Sequence, residues 1–276
     1  MTGKPKEERP LHSGRVVRAE LCTQAGPDRV YAAFADPRHL SNWFTEGARG
    51  EAKEGSTMTW EFRRFGLEIE VKVLSAKPGR LLVLEAPRPG RPPNVLEVSI
   101  EHFRGETILR LVNSGFLSGA EWDDEVAGVE SGWTMALAAL RYYLERRYGE
   151  RRLDFLLMRP ARFDVADAFR RYTTAEGLEE WIAREARFDG DAFEMTLADG
   201  RTLAGEVVAR SAFEAALGLA DGRGVIELKS IRTGPDSRSL AVRASLWGES
   251  EQGRDDLERA FRDGLERLAS VIGRSV

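Results

Sequence analysis

Ala35-Asp36-Pro37-Arg38-His39-Leu40-Ser41-Asn42-Trp43-Phe44 puts proline at the first position of a short helix and sets Leu40 and Trp43 three residues apart, on one side of a helical turn. The same Leu-x-x-Trp spacing returns at Leu178 and Trp181. Each pair follows a helical segment that opens on an aspartate able to cap it. Asp28 precedes Val30, Ala33 and Phe34, and Asp164 precedes Val165, Ala168 and Phe169. Each of those helices follows an apolar strand, Arg15 to Cys22 in the first half and Arg152 to Arg159 in the second.

Downstream, the first half reads as strands: a short one near Ala48 to Ala52, then Thr57 to Arg63, Leu67 to Leu74, Leu81 to Glu85, Val95 to Phe103 and Thr107 to Asn113. The turns between them include Lys77-Pro78-Gly79-Arg80 and Arg104-Gly105-Glu106. Alternation gives the strands one apolar face: Trp60 and Phe62 against Glu61 and Arg63, and Leu67, Ile69, Val71 and Val73 against Glu68, Glu70 and Lys72. An amphipathic helix over about Trp122 to Tyr148 closes the half. The second half repeats the order, with strands near Phe193–Leu197, Thr202–Ala209, Phe213–Leu219, Gly224–Ile231 and Leu240–Trp247 and a helix from about Gln252 to Ile272. In the closing helices Trp133, Leu137, Leu140 and Leu144 match Phe261, Leu265, Leu268 and Ile272 at identical spacings. Element order, Leu-x-x-Trp and helix register together mark an internal repeat. The predicted class is α+β: two tandem domains, each a curved antiparallel sheet wrapped around a long C-terminal helix. Their expected limits are a flexible tail over 1–14, a first domain over 15–149 and a divergent second one over 150–276.

Composition agrees with two ordinary globular cores: 276 residues, 42% apolar and 31% charged. The net charge of −4 supplies no general field for nucleic acid or an anionic membrane surface. One cysteine, Cys22, allows no disulfide framework within a chain. The polar first residues carry no signal-peptide pattern, and no stretch approaches the roughly 20 apolar residues of a membrane span. The expected location is the cytoplasm.

Ala35 to Phe44, followed by Lys77-Pro78-Gly79-Arg80-Leu81, Gly105-Glu106-Thr107, Ser114-Gly115-Phe116 and Gly132-Trp133 with Leu137 and Leu140, resembles the SRPBCC, or START-like, superfamily. More narrowly it resembles, over about Arg15 to Arg147, homologues of the activator of the ninety-kilodalton heat-shock protein ATPase. The resemblance implies a helix-grip fold. It also implies an internal cavity for a lipophilic small molecule, or a surface that docks a chaperone or other protein, as in the co-chaperone namesake. The family shares no catalytic residue set, so none is carried over.

Trp43, Phe44, Trp60, Phe62, Ile69, Ile100, His102, Trp133 and Leu137 are the expected cavity lining, with Trp122 in the same aromatic constellation, and the alternative is that the same rings fill the space as a plug. His102 is the one titratable candidate among them, because it shares strand parity with Leu96, Val98 and Ile100. His12 falls in the tail and His39 on the exposed side of its short helix. The second half offers Trp181, Phe193, Met195, Phe213 and Leu217, a lining expected to be packed shut. No metal-ligand spacing and no phosphate-binding loop is present, so no metal or cofactor is expected. Asp123-Asp124-Glu125 fits a helix N-terminus better than an acidic site. The first reading is a non-enzymatic binding protein that contacts neither nucleic acid nor the membrane interior. The alternative is an aromatase/cyclase- or dehydratase-like enzyme acting on a hydrophobic ligand. It would need a polar group inside the first cavity, and its candidates are His102 and Arg110, the latter of unfavourable parity beside Leu109 and Leu111.

Overall fold

A computed structural model describes residues 14–234 and 237–272. The expected tail, but for Gly14, and His12 lie outside the described residues. The described residues open on strand β1 (Arg15–Thr23), helices α1 (Pro27–Ala35) and α2 (Pro37–Ser41), and strands β2 (Gly47–Gly50), β3 (Thr57–Phe62), β4 (Leu67–Lys77), β5 (Leu81–Ala86), β6 (Asn94–Phe103) and β7 (Glu106–Phe116). Helix α3 (Asp123–Arg146) follows. Then the order repeats: β8 (Arg152–Ala161), α4 (Val165–Thr173), α5 (Ala175–Glu179), β9 (Ala183–Asp189), β10 (Ala192–Leu197), β11 (Thr202–Arg210), β12 (Ala215–Leu219), β13 (Gly224–Gly234), β14 (Ser237–Trp247) and α6 (Glu251–Ile272). The strands form two seven-stranded antiparallel sheets that share no strand, ordered β1-β7-β6-β5-β4-β3-β2 and β8-β14-β13-β12-β11-β10-β9. The architecture is two helix-grip units of α+β class in tandem.

Local chemistry explains the elements. Asp36 caps α2 by accepting from the Arg38 amide at 2.8 Å, with Pro37 at the first helical position. Asp164 caps α4 in the same way, through the Asp167 amide at 2.9 Å. Asp28 does not cap its helix: α1 starts one residue earlier, at Pro27 after Gly26, and Asp28 sits in the first turn. Between β6 and β7 only Arg104 and Gly105 separate the paired Phe103 and Glu106, and both have positive φ (54° and 87°). That is the primed two-residue turn whose twist suits a hairpin. β9, which alternation did not predict, is a polar edge strand of sequence Ala-Arg-Glu-Ala-Arg-Phe-Asp, held by its register with β10 rather than by an apolar face.

The repeat extends to individual hydrogen bonds. Trp43 Nε1 donates to Ala33 O at 2.8 Å and Trp181 Nε1 to Arg171 O at 3.1 Å, each ten residues back. Phe34 meets Trp43 edge-on, and Tyr172 meets Trp181 edge-on, at corresponding places in the two halves. Both tryptophans are buried. A tryptophan N–H seldom stays unpaired in a core, so the shared acceptor fixes where the ring can sit.

The halves are more than adjacent. One face of α3 covers the first sheet, where Trp133 and Leu137 join Ile100, Leu109 and Leu111 in one core. Ser131 and Tyr142, on another face, meet the outer side of the second sheet: Ser131 Oγ donates to Glu214, and the Tyr142 hydroxyl donates to Leu219 O. Ala216, Val225 and Trp247 of the second sheet belong to the first core. β12 is consequently buried along its whole length, so the expectation of one wet face fails there while it holds for Glu68, Glu70 and Lys72 of β4. On its inner side the second sheet is covered by α6 through Leu257, Phe261, Leu265, Leu268 and Ile272. At the junction, buried Arg152 donates to Trp43 O and Thr45 O, Arg243 to Phe44 O, and Trp247 Nε1 to Asn42 O.

Close approach within the second sheet depends on Gly205. A Cβ there would overlap the Gly218 carbonyl of the neighbouring strand. A Gly205→Ala variant is expected to lose about 1–3 kcal/mol through that overlap, read as a lower urea midpoint with an unchanged slope.

Candidate functional site

Phe44 is the hub of an aromatic cluster at the α2 end of the first sheet. Its ring lies 5.1 Å from Trp43, 5.6 Å from Trp60 and 5.8 Å from Phe62, and stacks on Trp133 at 5.4 Å. The turn after α2 delivers Trp43 and Phe44, β3 delivers Trp60 and Phe62 from one strand face, and α3 delivers Trp133. Rings at these separations fill the space between them. Of the predicted lining, Trp43, Phe44, Trp60, Phe62 and Trp133 are thus brought together as packing, with Leu137 and Ile100 buried in the same core. Trp60 Nε1 is buried with no hydrogen-bond partner among the described residues.

Beyond this plug the space opens. A groove of about 620 Å³ runs between the ends of β4 to β7 and the first turns of α3. Ile69, Ala86, Phe116 and Val129 give it apolar walls, and of the predicted residues it takes only Ile69. Asn94 and Asn113 form its polar patch. Asn113 is 5% exposed, and its Nδ2 donates to Asn94 Oδ1 (2.8 Å) and Val95 O (3.1 Å). Its Oδ1 accepts from Trp133 Nε1 at 3.2 Å. Arg88 and Glu125 stand at the mouth, joined at 2.5 Å. Parity could have found Asn113, which falls in step with Leu109 and Leu111.

The other candidates lie elsewhere. His102 is exposed near the end of β6, its Nδ1 3.1 Å from Thr107 Oγ1. Arg110 points outward and pairs with Glu20 (2.9 Å) and Glu101 (2.7 Å). His39 is half-buried, its Nδ1 2.7 Å from the Tyr143 hydroxyl and its ring stacked on Tyr148, and burial holds its pKa below the usual value. Trp122 has left the aromatic cluster for the start of α3, under the Arg91 guanidinium at 4.4 Å. Asp123, Asp124 and Glu125 occupy the first turn of α3. In the second half Trp181, Phe193, Met195 and Leu217 are packed into the core, whereas Phe213 faces a cleft between the halves. Among the described residues no helix is long and apolar enough to cross a membrane.

Known proteins resemble the chain as follows. Residues 24–145 match the family described as Activator of Hsp90 ATPase homolog 1-like protein. A search of the curated proteins gave no match. Among solved structures, DynU16 from the dynemicin biosynthetic locus aligns at 18% identity over 94% of this chain and 100% of its own, with a TM-score of 0.43. The di-domain ARO/CYC protein BexL of the BE-7585A pathway aligns at 12% over 94% and 98%, with a TM-score of 0.42. The Aha1 dimer from Colwellia psychrerythraea aligns at 21% over 49% of this chain and 99% of its own, with a TM-score of 0.43. The groove and its aromatic plug thus lie within residues 24–145, the span that is similar to Activator of Hsp90 ATPase homolog 1-like proteins.

Proposed function

We propose that residues 15–149 form a binding unit for a lipophilic small molecule and that residues 150–276 act mainly as its structural cover. The observation that carries the reading is the groove, whose volume of about 620 Å³ is that of a small-ligand site and whose apolar walls converge on buried Asn113 and half-buried Asn94. An apolar body would lie along Ile69, Ala86 and Phe116 while a carbonyl or hydroxyl met the amides. The ligand therefore sits beside the aromatic cluster rather than within it. The cyclase or dehydratase alternative needs a polar group inside the cavity, and its candidates, His102 and Arg110, do not line the groove.

Titration with a panel of fatty acids, sterols and aromatic polyketides tests this. A ligand at a hundred times its Kd stabilises the fold by about 2.7 kcal/mol, which raises the melting temperature by roughly 5–10 °C for a protein of this size. Trp133, hydrogen-bonded to Asn113, should report the event in its fluorescence. Ala86→Phe, which fills the groove, should abolish both signals. A panel that moves neither melting nor fluorescence sinks the small-molecule reading in favour of a protein-docking role, for which a chaperone ATPase assay is the next experiment.

A further inference from the structure

The cleft between the halves is larger than the groove, about 990 Å³, and nothing in the binding reading above accounts for it. One side is α3, where Gly128 and Gly132 lie one turn apart and leave the helix surface flat beside Trp122 and Val129. The other side is the outer surface of the second sheet, with Phe213 and Ile231. A gap between flat apolar walls suits a planar body.

The floor is polar and buried. Glu214 is 5% exposed and accepts from Ser131 Oγ at 2.6 Å. Lys229 Nζ lies 3.4 Å from Glu214 and 2.9 Å from Glu227, itself 2% exposed. Burial opposes charge on Lys229 and Glu227, but each raises the other's ionised population and both stay charged. Ser230, the next residue of β13, belongs to the opposite face of the strand, where its hydroxyl lies beside that of Tyr172. Charge then selects the ligand. An ammonium would meet Lys229, and a carboxylate would meet Glu214 and Glu227, each desolvated beside a like charge. A neutral hydroxyl can donate to Glu214 and accept from Lys229 at no such cost. The mouth is nearly balanced too: Arg232 pairs with Asp124, Arg91 pairs with Glu125 at 3.3 Å, and Arg238 and Glu121 add one charge of each sign.

We infer that the inter-domain cleft is a second ligand site, which takes a flat, neutral, hydroxylated aromatic molecule with its hydroxyl on Glu214 and Lys229. The inference stands independently of the groove, so the two can fail separately.

Calorimetric titration of the whole chain with 2-naphthol tests it, against naphthalene, 2-naphthoate and 1-naphthylmethylammonium. 2-Naphthol should bind at least tenfold more tightly than any of the three. A Cβ at Gly128 or Gly132 meets no atom within 4 Å, and leucine is the better helix former, so the Gly128→Leu/Gly132→Leu double variant should fold normally while blocking the cleft. It should weaken 2-naphthol at least tenfold, and Ala86→Phe in the groove should leave it unchanged. In protein whose melting shows it folded, Glu214→Gln should weaken 2-naphthol severalfold and leave naphthalene alone. Absence of 2-naphthol binding overturns the assignment. Binding that survives the glycine replacements, or that disappears with Ala86→Phe, also overturns it; the latter result would place the probe in the groove.

Discussion

An Arg152→Ala variant is expected to melt roughly 10 °C below the parent protein, the largest loss we expect from any single polar side chain. The guanidinium is buried and donates to Trp43 O at 2.6 Å and Thr45 O at 2.5 Å, with Asp154 3.8 Å away. Burial pulls its pKa down to about 10, still above neutrality, so it is a charged group at the junction of the halves. Removing it strands two carbonyls and leaves Asp154 to Arg64 alone, which costs about 3–5 kcal/mol. Arg152→Lys should recover little, because a single ammonium does not reproduce the planar fork that spans both carbonyls. Scanning calorimetry decides the matter. A melt within about 2 °C of the parent would mean that the junction tolerates loss of its central cation.

Trp133→Ala is expected to cost about 3–5 kcal/mol, because the indole both stacks on Phe44 and supports the Asn113 carbonyl. Trp133→Phe separates these roles. It keeps most of the stacking and loses the 3.2 Å hydrogen bond, so its cost should fall to about 1–2 kcal/mol. Urea unfolding of both variants provides the test. Equal losses would show that the ring's volume contributes nothing beyond its N–H, and the aromatic cluster could not then be a packed plug.

Much of this was legible in the chain. Turn residues and alternation located the six strands of the first sheet that follow β1, and the Trp43/Trp181 match held down to the acceptor of each indole. Strand parity correctly turned Arg110 outward, but it overreached with His102. Parity reports which face a side chain takes, not whether anything covers that point of the strand. The polar half of the groove was missed for a related reason. The last strand was read only as far as Asn113, whereas β7 continues to Phe116, so the asparagine looked like a strand end. What lies over the second sheet could not be read locally, since periodicity identifies an apolar face without its partner. The unbroken run Ala215-Ala216-Leu217-Gly218-Leu219 was the one hint that both faces of that strand would be dry.

The two-sided burial of α3 has a consequence for the order of synthesis. The helix is complete when Arg146 emerges, but Trp247, which closes over Tyr142 and Tyr143, is made about 100 residues later. At typical elongation rates of about 5–20 residues per second, those tyrosines wait uncovered for roughly 5–20 s on every ribosome. A nascent chain stalled in that interval presents an aromatic surface that the finished protein never shows, and it is there that a holding chaperone would act.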